Sequence, residues 1–377
     1  MNTSPRRPGP VVVTGGGTAG HVLPALAIAD GLVGSGLERT EIHYVGTTRG
    51  IERTLVPPTG YDATYLDVVG VQRSLSRRNL AVLPKLIGSL RGARRLLRQL
   101  RPAAVVNVGG YGSFPASMAA RLARVPLVVV SYDQRPGVVS KLMARRAALV
   151  AVAFPGSKLP NARLTGAPVR PGLIALGQPG VLAGRRDAAR QARGLPAQRF
   201  VIAVTCGSLG SKAVNAAVDS LVERWANRAD VAVYHVIGDR FLDQASPERD
   251  GSDGIMYRVV GFEQDIAGLY AAADVMITRA GAGTLAELTT VGVAAIVVPW
   301  PDAAENHQVD NANQLATLGA AVVVEESTLS AGRLADEVER LRTDPQALGQ
   351  LRSAAHAAGE DHRSGKLIAA IREVAGR

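Results

Sequence analysis

Short runs dense in Val, Ile and Leu recur along the chain, and each is followed by a stretch whose apolar residues return every three or four positions. An unbroken apolar run of strand length is what a strand buried on both faces requires, and the three-to-four spacing is that of a helix lying on a sheet. The order is therefore βα repeated, the pattern of parallel sheets covered by helices. In the first half the predicted strands are residues 11–13, 42–45, about 65–69, 104–106, 127–130 and 149–153. In the second half they are 200–205, 231–237, 256–260, 275–278, 295–299 and 321–325.

Between the two sets lies "VRPGLIALGQPGVLAGRRDAARQARGLPAQR", rich in Gly and Pro and without a strand pattern, which reads as an interdomain linker. A chain of 377 residues also exceeds the range in which one core keeps growing. The expectation is an α/β protein of two Rossmann-like domains, residues 1–172 and 173–377, facing a central cleft. The tail "SGKLIAAIREVAGR" has helical spacing and is a candidate to pack back on the first domain.

Ligands of open α/β sheets bind beyond the carboxyl ends of the strands, so glycine loops should follow strands. Four do: "TGGGTAGH", "NVGGYGSFP" from Asn107, "TCGSLGSK" from Thr205 and "TRAGAGTLAEL" from Thr278. Loops without side-chain bulk let a diphosphate approach the unpaired amides of a helix N-terminus. In the last loop Gly281, Ala282, Gly283 and Thr284 lead a helix expected to carry Glu287 on its first turn. A carboxylate there can accept hydrogen bonds from a ribose diol; it would equally complement the helix dipole. The first loop also satisfies the dinucleotide fingerprint, but "EIHYVGTTRG" supplies no acid at the end of the second strand. That disfavours NAD, while Arg49 leaves a reductase using the 2′-phosphorylated cofactor open. His21 follows directly after the first loop, and histidine is the side chain whose ordinary pKa suits removing a proton near neutral pH. No two histidines stand at metal-ligand spacing, and no protein-held metal is expected.

Charge is distributed unevenly. From residue 68 to 186 there are 20 basic residues and one acid, Asp133, within a chain of net charge +11, so the remainder is net acidic. Such a block points to an anionic partner. It lacks the interleaved aromatics of a nucleic-acid module, which ranks nucleic acid last. Cys206 is the only cysteine, which excludes an intrachain disulfide and a cysteine zinc site and suits a reducing compartment. The first residues do not have the pattern of a signal peptide, and the apolar runs are far shorter than the roughly 20 residues of a spanning helix.

"GGGTAGHVLPALAIA", "NVGGYGSFPASMAARLARVPLVV", "LTGAPVRPGL", "RAGAGTLAELTTVGVAAIVVPWPDAAENHQVDNANQL" and "GAAVVVEE" resemble, in family order, the MurG family of peptidoglycan glycosyltransferases, of GT-B fold. The resemblance runs from Val11 past Leu315. It implies inverting, metal-independent transfer of N-acetylglucosamine from UDP-N-acetylglucosamine to the C4 hydroxyl of the muramyl sugar of lipid I, giving lipid II, without a cofactor. It implies a first domain that receives the polyprenyl-diphosphate acceptor and a second that holds the UDP-sugar. By position, Thr18, Ala19 and Gly20 fall at the sugar and diphosphate, with His21 as general base. Gly110 and Tyr111 belong to the second acceptor loop. Arg170 and Ser208 fall at the nucleotide site, and Phe262 and Glu263 at the uracil. Ala282, Gly283, Thr284, Leu285, Ala286 and Glu287 wrap the phosphates and ribose. His307, Gln308 and Asn311 fall at the donor sugar.

The chain departs from the family at three places. Ala19 replaces a glycine of the usual "TGGH", and Glu263 replaces an apolar residue. The usual "HEQN" ahead of the Pro-Gly is replaced, with Asp133 at the position of its asparagine and Tyr132 and Ser131 before it, which makes Asp133 either a second candidate for the base or the mark of a different acceptor. The resemblance also gives the basic block a role. "QRSLSRRNLAVLPKLIGSLRGARRLLRQLR" interleaves Arg with Leu and Ile, as a segment lying on an anionic membrane would, at the cytoplasmic face. The same pattern describes an ordinary amphipathic helix on a sheet. The alternatives are a same-fold UDP-sugar transferase acting on a soluble natural product, and the NADP-dependent reductase.

Overall fold

Val11, Val12 and Val13 are wholly buried, and so are Val105, Val128, Val129, Ile202, Val204, Val233 and Ile277. Strands without a solvent face belong in the middle of a parallel sheet covered on both sides by helices. A computed structural model describes residues 9–68, 78–207, 209–303 and 306–377. It divides into two units, Met1–Pro171 with Ser364–Arg377, and Gly172–Arg363.

The first unit holds β1 (Gly9–Thr14), β2 (Ile42–Thr47), β3 (Asp62–Leu66), β4 (Pro102–Asn107), β5 (Leu127–Ser131), β6 (Leu149–Val152) and β7 (Ala162–Leu164). They form one sheet in the order β3-β2-β1-β4-β5-β6-β7. All pairs are parallel, with Val12 opposite both His43 and Val105. β3 starts earlier than the sequence predicts, and residue 69 of that prediction lies outside the described residues. The core on one face joins Val12, Val45, Val105 and Val129 to Ala93, Leu97, Ala116 and Ala120 of the covering helices. The helix Lys366–Ala375 is part of this unit, through buried Leu367 and Ile371, and the final Arg377 bonds Glu41 at 2.6 Å and the Gly9 carbonyl at 2.6 Å.

The second unit repeats the plan with β8 (Phe200–Thr205), β9 (Val231–Val236), β10 (Arg249–Asp250), β11 (Met256–Val260), β12 (Val275–Thr278), β13 (Ala295–Val297) and β14 (Val322–Val323). Their order is β10-β11-β9-β8-β12-β13-β14, with only β10 antiparallel. In both sheets the strand order reverses beside the first strand, between β1 and β4 and between β8 and β12. A loop leaving the carboxyl end of a strand there opens into a crevice, where ligands of such sheets bind. The four glycine loops leave these four strands.

The segment read as a linker is not one. It folds into the helix Pro171–Leu176, which starts at the division between the two units, and the helix Val181–Ala192 within the second unit. Arg190, 1% exposed, donates to the carbonyls of Ala272, Ala197 and Arg199 and to the Asp274 carboxylate at 2.6 Å. Asp274 also accepts from the Val201 amide at 2.8 Å and pairs with Arg186 and Arg352. Glycines and prolines punctuate this stretch, but the helices between them are tied down by a buried ion network.

Candidate functional site

In the first unit the two glycine loops are built against each other. Asn107, buried at the end of β4, accepts the Gly109 amide at 2.7 Å and donates to Ser117 at 2.7 Å. That bends the chain so that Gly110, at φ +76°, lies on the first loop; a β-carbon there would stand 2.3 Å from the Gly16 carbonyl and 2.7 Å from the His21 ring. Only glycine fits both the left-handed backbone and the close approach. Tyr111 follows, partly exposed. The first loop is held from its other side by Glu52. Its wholly buried carboxylate accepts the Gly17 amide at 3.1 Å and both the amide and hydroxyl of Thr47 at 2.7 Å.

Thr18 is the extended residue before the helix Ala19–Gly34, with no side-chain cap bond, and Thr18 and Gly20 are exposed. Ala19 stands inside the helix and outside the left-handed region, so the methyl in place of glycine is accommodated. His21 is half-buried, and its Nδ1 meets the Tyr132 hydroxyl at 2.9 Å. Burial, and then the neighbouring Asp133 charge, push the Tyr132 hydroxyl well above the ordinary range for a phenol. Asp133 is itself half-buried. Of the two candidate bases, His21 is the one held in place by a side-chain contact described in the structure.

In the second unit Gly210, at φ +61°, packs on the Ile237 carbonyl, where a β-carbon would stand at 2.1 Å. Ser211 caps the helix Lys212–Arg224 by accepting from Val214. Ser208 lies outside the described residues. Arg279, the first residue after β12, donates to Ser211 at 2.6 Å and to the Val298 and Pro299 carbonyls, and pairs with Glu326. It binds three loops together. The helix Ala282–Val291 begins after Gly281 with no side-chain cap. Its first amides, those of Ala282, Gly283 and Thr284, are the ones without an intrahelical acceptor. Leu285 and Ala286 are core residues, and the Leu285 amide bonds the Gly281 carbonyl, so neither offers a side chain or a fresh donor. Glu287 sits on the second turn rather than the first, where the Tyr270 hydroxyl donates to it at 3.3 Å.

Phe262 is exposed just beyond β11. Glu263 is turned away into a cluster: it pairs with Arg193 at 3.1 Å and accepts from Tyr234 at 3.1 Å and the Asp265 amide at 2.8 Å. Its carboxylate holds the loop in shape. Gln308 Oε1 accepts from the amides of Ala280 and Trp300 at 3.2 and 3.1 Å, and Asn311, 1% exposed, donates to the Ala280 carbonyl at 3.2 Å. Both residues therefore brace the peptide of Ala280, and Asn311 does so from within the core. His307 begins the helix His307–Thr317, half-buried. Arg170 is half-buried at the end of the first unit's continuous stretch, outside the second unit. Among the described residues no group of three or more His, Cys, Asp or Glu comes together to hold a metal.

Sequence reasoning missed Glu52, Asn107, Tyr132 as a partner of His21, and Arg279. Glu52 was within reach: it is an acid three residues past Arg49, where a dinucleotide fold was asked for one. It binds the loop's own amides instead of a ribose.

Two Rossmann-like units, each with glycine loops at its switch point, are the plan of the GT-B fold class of glycosyltransferases, and comparison with known proteins agrees with it. The glycosyltransferase family 28 N-terminal domain matches residues 11–152 and the family 28 C-terminal domain residues 201–366. The UDP-N-acetylglucosamine–N-acetylmuramyl-(pentapeptide) pyrophosphoryl-undecaprenol N-acetylglucosamine transferase of Desulforudis audaxviator is 34% identical, covering 97% of this chain and 99% of that one. The transferase of the same name from Paenarthrobacter aurescens is 38% identical over 96% of each. The crystal structure of Acinetobacter baumannii MurG superposes with a TM-score of 0.71 at 27% identity, covering 96% of this chain and all of that one. The chain belongs to glycosyltransferase family 28, within the MurG family of N-acetylglucosamine transferases. The reductase alternative falls with this.

Proposed function

We propose that the chain transfers N-acetylglucosamine from UDP-N-acetylglucosamine to the C4 hydroxyl of the muramyl sugar of lipid I, with inversion, forming lipid II. The observation that carries this is the likeness, over nearly the whole chain, to relatives bearing that transferase name. In this reading the first unit receives the acceptor on Thr18, Ala19, Gly20, Gly110 and Tyr111. His21 takes the hydroxyl proton as the oxygen bonds the anomeric carbon and the bond from that carbon to the diphosphate breaks. The charge that develops on UDP meets the amides of Ala282, Gly283 and Thr284, which carry no intrahelical acceptor, and the family resemblance adds Arg170 and Ser208 as donors to the nucleotide. Glu287 accepts from the ribose, and Phe262 offers an aromatic face to the uracil. Gln308, whose Oε1 is taken by two backbone amides, meets the sugar as a donor through Nε2.

The acceptor's polyprenyl chain would bring the reaction to a membrane surface. Among the described residues no helix is long and apolar enough to cross a membrane. The first unit exposes Ile87, Val138 and Leu142 beside exposed Arg91, Arg94, Arg95, Lys141 and Arg145. Aliphatic side chains enter the interface while each basic residue contributes about 1 kcal/mol near anionic lipid. In the basic helix Arg78–Leu100, Ala93 and Leu97 are instead core, so only part of that segment can serve the membrane. A second reading, a soluble acceptor, is favoured only by the "SYDQ" segment at 131–134.

Calorimetry with UDP-N-acetylglucosamine, UDP-glucose and NADPH tests the donor side. The first should bind most tightly, and Glu287→Ala should weaken it about tenfold or more, the worth of a charged hydrogen bond. Binding of NADPH alone, or a Glu287→Ala variant that binds as well as the parent, would contradict the assignment.

A further inference from the structure

Pro24 lies inside the helix Ala19–Gly34 and has no amide hydrogen, so the carbonyl four residues earlier, that of Gly20, lacks its helical donor. Tyr132, a residue 5% exposed, fills that place, its hydroxyl donating to the Gly20 carbonyl. A phenol has one hydrogen, and a carbonyl can only accept. The contact of 2.9 Å between Tyr132 and His21 Nδ1 must then run the other way, with the ring nitrogen as donor. The ring also lies against the second loop: a β-carbon on Gly109 would stand 3.4 Å from its Cε1 and Nδ1, and one on Gly110 2.7 Å from its Cδ2.

We infer that Tyr132 is a positioning residue for His21, fixing its neutral ring as the Nδ1–H tautomer so that Nε2 carries the lone pair. The inference rests on the reading of His21 as base. Proton transfer then runs from the acceptor hydroxyl to Nε2, and the imidazolium so formed keeps its Nδ1–H bond to Tyr132. The part is that of an orienting group behind a catalytic histidine, supplied by a neutral phenol whose own proton is committed to a helix carbonyl. The arrangement depends on Tyr132, one of the residues at which this chain departs from "HEQN".

The test is nitrogen-15 NMR of histidine-labelled protein, with the His21 signals assigned by their loss in His21→Asn. Above the ring's titration, Nδ1 should resonate as a protonated nitrogen and Nε2 as an unprotonated one. In Tyr132→Phe the proton should redistribute toward Nε2 and kcat should fall about tenfold or more with the donor KM unchanged. In a His21→Ala background Tyr132→Phe should cost nothing further. An Nε2–H ring in the parent protein overturns the inference whatever the activity. An equal loss from Tyr132→Phe with and without His21 also overturns it, since the effect would not act through the ring. Full turnover by His21→Ala overturns instead the base assignment on which the inference rests.

Discussion

His235 illustrates how tightly single residues are specified in the second unit. It is wholly buried on β9, with Nε2 on the Asn215 side-chain oxygen at 3.1 Å and Nδ1 on the Tyr257 hydroxyl at 2.9 Å. The Asn215 amide is oriented by its own bond to the Ile237 carbonyl, the carbonyl against which Gly210 packs. Burial lowers the His235 pKa from 6.5 to about 4, and burial also lowers that of His362 to about 4. Each ring is neutral when folded and can charge when unfolded, so its contribution is complete above pH 6.5 and is lost as pH falls from 6.5 toward 4. A shift of this size is worth roughly 3 kcal/mol per histidine. Urea unfolding at pH 7.5 and pH 5 should show the decline, and His235→Gln should flatten it; a parent midpoint unchanged between those values would refute the assignment.

At the scale of elements, the ion network around Asp274 fixes the helix Val181–Ala192 to the second sheet. Asp274→Ala leaves the Arg190 guanidinium buried without its carboxylate, a loss of about 3–5 kcal/mol. Chemical denaturation should report that loss, and a cost below about 1 kcal/mol would mean that the network is replaceable. This helix was illegible in the sequence, because Pro171, Gly172, Gly180 and Gly184 read as linker while the partner that orders it, Asp274, lies some ninety residues away. The central strands were legible because their Val and Ile runs are buried on both faces. β7 and β10 were not, since "ARL" and "RD" contain no Val or Ile run. The same division holds in the site. Glycine loops and His21 announce themselves locally, whereas the Tyr132 contact spans 111 positions and depends on an orphaned carbonyl that only the folded helix creates. Glu287 was placed one turn early because a helix start cannot be fixed from a run of Gly and Ala.

For the whole molecule, the same Rossmann-like plan occurs twice with different charge. The first unit combines the basic block with exposed aliphatic side chains, and the second carries the ribose and uracil candidates. Attraction to anionic lipid is screened by salt. Turnover of acceptor held in anionic vesicles should therefore fall as ionic strength rises, while that of detergent-dispersed acceptor should change little. Equal salt responses would remove the membrane from the account. The central claim is tested most directly by following radiolabelled N-acetylglucosamine from UDP-N-acetylglucosamine to lipid I in such vesicles, with lipid-free aglycones offered in parallel. The account predicts labelled lipid II and no transfer to the soluble acceptors. Label on a soluble aglycone with none on lipid I would contradict it and assign the altered segment at 131–134 to a different acceptor.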